Sequence, residues 1–129
     1  MKILVTGSAG FIGYHLVKSL LINKNIKNNR ILSIDNFDNY YDKKIKLEKI
    51  KNLNSKDFKF RINHKFKKID LKDKNKLDIE IRKFKPDICH HFTIKPCIYG
   101  SIVARFTMVK TVMNAFTGLG QLYFMSQKK

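Results

Sequence analysis

Apolar and polar positions fall into alternating blocks along the first ninety residues. The run Ile3-Leu4-Val5 is too short for a helix and reads as a strand. It turns through Thr6 and Gly7 into a helical pattern from about Phe11 to Lys24. There Ile12, Leu16 and Leu20, with Phe11, Val17 and Leu21 one face over, recur at helical spacing. The polar cluster from Asn23 to Asn29 stops that helix. Arg30 to Asp35 forms a second strand. A polar and aromatic loop leads to a lysine-rich helix from Lys43 to about Asn54, with Ile45, Ile50 and Leu53 inward and Leu47 widening that face. A third strand lies within Phe58 to Asp70, where Phe58 to Ile62 and Phe66 to Asp70 compete and the ending favours the second. The next helix runs from about Asp73 to Phe84, with Leu77, Ile81 and Phe84 at i, i+4 and i+7. Lys85-Pro86 ends it, because proline pushes the residue before it out of the helical region. Asp87 to His91 is the fourth strand.

Four strands alternating with three helices imply an α/β fold, a doubly wound parallel sheet covered on both faces with right-handed crossovers. Strand order 3-2-1-4 is expected, with a ligand over the carboxyl ends of strands one and four. The chemistry-bearing residues gather at that edge. Half of the six glycines, Gly7, Gly10 and Gly13, sit in one heptad between the first strand and its helix. Gly7 suits the tight turn, Gly10 lets the backbone approach a pyrophosphate, and Gly13 lets the helix pack closely. The N–H groups at Phe11, Ile12 and Gly13 then face the phosphates, aided by the positive end of the helix dipole. Asp35, ending the second strand 22 residues beyond Gly13, is placed to accept hydrogen bonds from ribose hydroxyls and to repel a 2′-phosphate. An ordinary strand-end Asp opening a turn is the plainer reading. Together these residues predict a Rossmann-type dinucleotide site that favours NAD over NADP.

The Thr-Gly-x-x-Gly-x-x-Gly spacing resembles the extended short-chain dehydrogenase/reductases, the NAD-dependent epimerase/dehydratase family. Asp35-Asn36 with Asn39-Tyr40-Tyr41-Asp42 is similar to the loop of UDP-glucuronate 4-epimerases, although the tyrosines could equally cover the helix below. Asp70-Leu71 resembles the pair that closes strand three and touches adenine in that family. The resemblance implies an isomerase that oxidises and re-reduces a UDP-sugar at C4 through bound NAD. Its cofactor-binding positions here would be Gly7, Gly10, Phe11, Ile12, Gly13, Asp35, Asn36, Asp70, Leu71 and Phe92.

After His91 the resemblance fades. The family reads His-Leu-Ala-Ala, whereas this chain has His91-Phe92-Thr93-Ile94, bulkier under the cofactor. Ser101-Ile102 still matches, but Met108, Lys110 and Val112 stand where Tyr, Asp and Asn are expected. The expected organisation is therefore an NAD-binding unit over residues 1–91 and a diverged or truncated tail over 92–129. That tail would be helical from about Ser101 to Ala115, with a short strand at Leu122 to Met125, and no substrate domain follows. The family's Tyr-x-x-x-Lys base lies on a later helix. The strings here, Tyr14 to Lys18 and Tyr40 to Lys44, fall on the phosphate helix and in a loop, so no catalytic pair is assigned. A UDP-sugar is thus expected to bind only with the missing part supplied.

Composition adjusts this picture in two places. The formal net charge of +17 would suggest nucleic acid. Yet the lysines are scattered, and Lys, Asn and Ile make up 50 of the 129 residues, the mark of A/T-rich coding. No nucleic-acid partner is expected. All ten acidic residues lie at or before Asp87, an abrupt shift that fits a frameshift, truncation or divergence of the tail. Cys89 and Cys97 form no C-x-x-C pair, and no span of membrane length or leader occurs, which implies a reduced cytoplasmic setting. Cys89, His90, His91 and Cys97 match no common zinc spacing, and a strand sends His90 to the face opposite Cys89 and His91, so no metal is assigned.

Overall fold

The structure, a computed structural model, describes residues 1–23, 30–39, 42–55 and 63–116. Their order is β1 (Lys2–Thr6), α1 (Phe11–Ile22), β2 (Arg30–Asp35), α2 (Lys43–Leu53), β3 (Asn63–Lys68), α3 (Lys74–Phe84), β4 (Ile88–Phe92), α4 (Ile94–Phe106) and β5 (Thr111–Ala115). All strands are parallel in one sheet of order β3-β2-β1-β4-β5. The expected 3-2-1-4 order is present, with a fifth strand beside β4.

Alternation along β1 explains why both faces are covered. Ile3 and Val5 join Ile31, Val17, Leu21, Ile50 and Leu53 under α1 and α2. Leu4 points the other way, with Leu32, Ile34, Leu77, Ile81 and Cys89, under α3 and α4. A strand buried on both sides needs a continuous apolar run, and β1 and β2 supply one.

Several expected details are corrected. The inner stripe of α1 is Gly13, Val17 and Leu21, with Leu16 and Leu20 only partly buried, while Phe11 and Ile12 are exposed at its start. In α2 the inward positions are Lys46, Ile50 and Leu53, and Ile45 and Leu47 face solvent. Lys46 can be buried because its ammonium donates to the Asp38 carbonyl and carboxylate. The third strand starts at Asn63 and ends at Lys68, paired with Asp35, so Asp70 lies beyond it. The competing segment 58–62 lies outside the described residues. The fourth strand is displaced by one residue to Ile88–Phe92.

The largest correction concerns the segment after His91, where a helix was expected from Ser101 to Ala115. α4 instead begins at Ile94 and ends at Phe106, and residues 111–115 form β5. Two residues at positive φ, Thr93 (70°) and Met108 (56°), make the turns into and out of α4. Thr111 and Val112, β-branched, then pair with Ile88 and Cys89. The expected strand at 122–125 lies outside the described residues.

Candidate functional site at the carboxyl edge of the sheet

At the end of β1 the chain reverses through Gly7, whose φ of 67° suits glycine. The Gly10 N–H closes the turn on the Gly7 carbonyl at 3.0 Å, and α1 begins at Phe11. The helix starts so close to the turn that Gly13 lies directly against it. A Cβ there would stand 2.2 Å from the Gly7 carbonyl oxygen and 2.9 Å from Ser8 Cα. At Gly10 a Cβ would come within 3.1 Å of the same oxygen. Gly10 caps α1 without any side-chain hydrogen bond, and no acidic residue occupies the first turn. Among the described residues, the N–H groups of Phe11, Ile12 and Gly13 have no backbone partner. They form a set of donors aimed past the edge of the sheet, at the positive end of the helix dipole.

The other helix that starts beside β1 shares this feature. α4 follows β4 through Thr93 and also lacks a side-chain cap. The two outer helices differ: Asp42 accepts from the Lys44 N–H at 2.8 Å, and Asp73 from the Lys76 N–H at 3.1 Å. Uncapped helix starts thus flank the crevice between β1 and β4, where the order of strands reverses.

Asp35 is buried at the end of β2, and its carboxylate ties two loops together. One oxygen accepts the Ala9 N–H at 3.0 Å, from the glycine turn, and the other accepts the Phe37 N–H at 2.8 Å. Each oxygen keeps a second lone pair for another donor. Phe37 has φ 56°, so the backbone bends sharply around the carboxylate. Asn36 receives the Asp38 N–H on its Oδ1 and donates to Asp70 at 3.3 Å. Asp70 also accepts the Lys72 N–H at 2.9 Å. That bond, then the Asn36 bond and the Lys72 charge, hold the Asp70 carboxyl below the usual range. Asn36 and Asp70 are therefore hydrogen-bonded across the ends of β2 and β3, next to Asp35, whose backbone carbonyl accepts the Ile69 N–H at 3.1 Å, and Leu71 is partly buried.

Phe92, the last residue of β4, is buried in the cluster that holds Ala9 and Phe37, its ring centroid 4.3 Å from that of His90. Of the residues singled out in the sequence, the glycine turn, Phe11, Ile12 and the Asp35–Asn36–Asp70–Leu71 group all lie at or just beyond the carboxyl ends of β1 to β3, and Phe92 lies at that of β4. Asn39 follows β2 and Asp42 caps α2, whereas Tyr40 and Tyr41 fall outside the described residues. Tyr14 and Lys18 lie on α1, with the ammonium 6.0 Å from the ring centroid. Among the described residues no group of three or more His, Cys, Asp or Glu could hold a metal ion. Cys89 is buried in the α3–α4 cluster, and burial pushes its thiol up to about 12.

Two polar links were missed in the sequence. Fully buried His91 meets the Thr6 hydroxyl with Nδ1 at 3.0 Å, and its ring fills the space a side chain at Gly100 would need, 2.3 Å from that Cβ. A glycine inside α4, with no turn to explain it, was the available signal. His64 on β3 meets the Ser33 hydroxyl at 2.9 Å. Burial lowers both imidazoles to about 4.

A five-stranded doubly wound sheet with a glycine turn, uncapped helix starts and a strand-end carboxylate defines a Rossmann-type protein. The family model described as GDP-mannose 4,6 dehydratase matches residues 4–122, and the chain belongs to that family of nucleotide-sugar epimerases and dehydratases. An uncharacterised protein of Methanocaldococcus jannaschii, MJ1055, is 31% identical over 110 residues, covering 85% of this chain and 32% of the relative. A UDP-glucuronic acid 4-epimerase mutant from Bacillus cereus, solved with NAD and a fluorinated UDP-glucuronic acid, is 32% identical at TM-score 0.55. That match covers 70% of this chain and 26% of the epimerase. A dTDP-glucose 4,6-dehydratase from Bacillus anthracis, solved with NAD, shares the fold at TM-score 0.69 and 18% identity, covering 88% of this chain and 36% of the dehydratase. The chain thus spans about a third or less of the length of these relatives. The family match reaches beyond His91, through α4 and β5, where the residues alone had shown little resemblance.

Proposed function

We propose that this chain is the NAD-binding portion of a nucleotide-sugar epimerase or dehydratase. The observation that carries the reading is the bare start of α1: three free N–H groups behind a turn where Gly10 and Gly13 leave no room for side chains. A pyrophosphate fits such a cradle, since its oxygens can approach the backbone closely. Gly7, Gly10, Phe11, Ile12 and Gly13 would hold the phosphates. Asp35 and Asn36 would hold the adenosine ribose, and Asp70, Leu71 and Phe92 would border the adenine and the floor. NAD, when bound, supplies hydride transfer at a sugar carbon. The UDP-glucuronate 4-epimerase likeness makes C4 of a UDP-sugar the proposed position. The base and sugar pocket would come from polypeptide outside these residues, because the two Tyr-x-x-x-Lys strings belong to the helix after the glycine turn and to the stretch that follows β2 in the sequence, not to a helix after β4. The two cysteines, both free, fit a reduced cytoplasmic setting. No helix among the described residues is long and apolar enough to cross a membrane.

A calorimetric titration of the folded chain with NAD, and with NADP as control, tests the reading. Saturable binding is expected, with NADP weaker by roughly tenfold or more, equivalent to ~1.4 kcal/mol. Asp35→Asn should lose that preference, because the charge that repels a 2′-phosphate is gone. Its amide oxygen can still accept one of the two loop N–H groups. Absence of binding by the folded chain would mean that Phe92 and its neighbours close the site, leaving an inactive remnant of an epimerase.

A further inference from the structure

Among the described residues, Asp35 (7% exposed) and Lys46 (4%) are the only Asp, Glu, Lys or Arg side chains that are buried. Both act on the same loop, the one that leaves β2. Asp35 grips its start, accepting the Phe37 N–H at 2.8 Å while also accepting the Ala9 N–H of the glycine turn at 3.0 Å. Lys46 grips it from α2, its ammonium donating to the Asp38 carbonyl at 2.9 Å and to the Asp38 carboxylate. Between the two grips Phe37 is held at φ 56°, a left-handed bend that L-residues rarely adopt without constraint. Its buried ring lies 5.4 Å, centroid to centroid, from that of Phe66. Asp38 in turn donates its N–H to Asn36 Oδ1 at 3.0 Å, and Asn36 donates to Asp70 at 3.3 Å.

Packing does not account for a lysine at this position. An ammonium taken out of water incurs a desolvation cost that Met or Leu would avoid at the same inward place on α2. What the lysine adds is the hold on Asp38. We propose, building on the NAD-binding reading, that Lys46 is a positioning residue for the ribose end of that site: through Asp38 it keeps Phe37 in its bend, and so keeps Asp35 and Asn36 in the arrangement assigned to the adenosine ribose. It acts through the loop rather than on the cofactor. With the loop released, Phe37 relaxes to an ordinary φ and its N–H leaves the Asp35 carboxylate. Asp35 then keeps only the Ala9 bond and can turn, which weakens both the hold on NAD and the rejection of a 2′-phosphate.

Lys46→Met removes the ammonium and keeps an unbranched apolar stem. The Asp38 side chain is 59% exposed and can be hydrated once alone, so no unpaired charge is left buried and the urea midpoint should hold or rise. Calorimetry of the full chain should show NAD affinity lowered by about tenfold, with the NAD-over-NADP ratio reduced toward one. Hydrogen exchange without nucleotide reads the loop directly: the Phe37 amide should exchange about tenfold or more faster in the variant, with the amides of β2 unchanged. Asp38→Ala leaves the carbonyl bond in place and should move both readouts the same way by less, and the double variant should match Lys46→Met alone. If Lys46→Met misfolds, Asp38→Ala decides. An unchanged nucleotide preference in a variant that binds NAD would overturn the proposal and leave the NAD reading standing, whether or not the urea midpoint moves. A parent chain that binds neither nucleotide would overturn both, and one that binds the two alike would overturn this proposal alone.

Discussion

A methyl group at Gly13 would stand 2.2 Å from the carbonyl oxygen of Gly7, while one at Gly7 would meet nothing within 4 Å. The two glycines are therefore required for different reasons. Gly13 is a matter of space, because backbone faces backbone and neither can rotate away. Gly7 is a matter of dihedral angle alone, at φ 67°. Gly13→Ala should cost about 3 kcal/mol, as overpacking against rigid neighbours does. Gly7→Ala should cost nearer 1 kcal/mol, the penalty of a left-handed L-residue. Urea midpoints of the two variants check the order, and a milder effect at Gly13 would mean that α1 can slide away from the turn. The sequence spacing already assigns the turn to Gly7 and the close packing to Gly13, whereas the distances that separate a limit of space from a limit of dihedral angle come only with the fold. Asp35 is similar: its position after Gly13 was legible, whereas its grip on the Ala9 and Phe37 N–H groups depends on a bend at Phe37 that carries no sequence signal.

Elements were legible where burial follows periodicity and illegible where a polar residue takes a core position. β1 and β2 read directly as short continuous apolar runs buried on both faces, and α3 because Leu77 and Ile81 recur at helical spacing. α2 was rotated in the sequence reading because Lys46 holds the place of an apolar residue, neutralised by Asp38 across the loop. β3 escaped because His64 and Phe66 alternate with lysines in an edge strand that buries little. Two histidines now join neighbouring elements, His64 linking β3 to β2 through Ser33 and His91 linking β4 to β1 through Thr6. Each has one ring nitrogen buried without a partner; the Leu53 carbonyl faces His64 and opposes its shift without closing a bond. Burial holds both to about 4 in the fold, against an ordinary value of 6.5. The unfolded chain therefore takes up protons first as pH falls below 6.5, and stability declines from there until the folded imidazoles titrate near 4. The limit is on the order of 3 kcal/mol per histidine. Urea midpoints measured between pH 7 and 4 should fall through that window. His64→Gln should make the fall shallower, because one of the two groups no longer titrates; an unchanged slope would show that His64 is solvated.

Taken as a whole molecule, the chain has far more positive than negative charge, and its ion pairs do little to offset the excess. Among the described residues four pairs are formed, and only Lys46–Asp38 has a partner at 4% exposure; in each of the others the cation is at least 46% exposed. Exposed pairs contribute between nothing and about 1 kcal/mol each, and salt screens them. Self-repulsion at net +17 acts across the entire surface and opposes the compact state, and salt screens it as well. Which effect is larger decides how salt changes stability. The cations outnumber the anions by 27 to 10, so most lysines lack a nearby carboxylate and repulsion is the larger sum. Raising ionic strength from about 0.01 M to about 1 M shortens the screening length from roughly 30 Å to 3 Å, from the width of the domain to a single contact. Stability should therefore rise with sodium chloride, and most of the gain should come by about 0.1 M, where the screening length is already ~10 Å. Urea midpoints across that range test this at fixed pH, using chloride so that specific phosphate or sulfate binding at the start of α1 adds nothing. A midpoint that falls with salt would show that the few ion pairs outweigh the excess charge, and would place the lysines in closer balance with the acidic residues of β2, α2 and α3 than these contacts indicate.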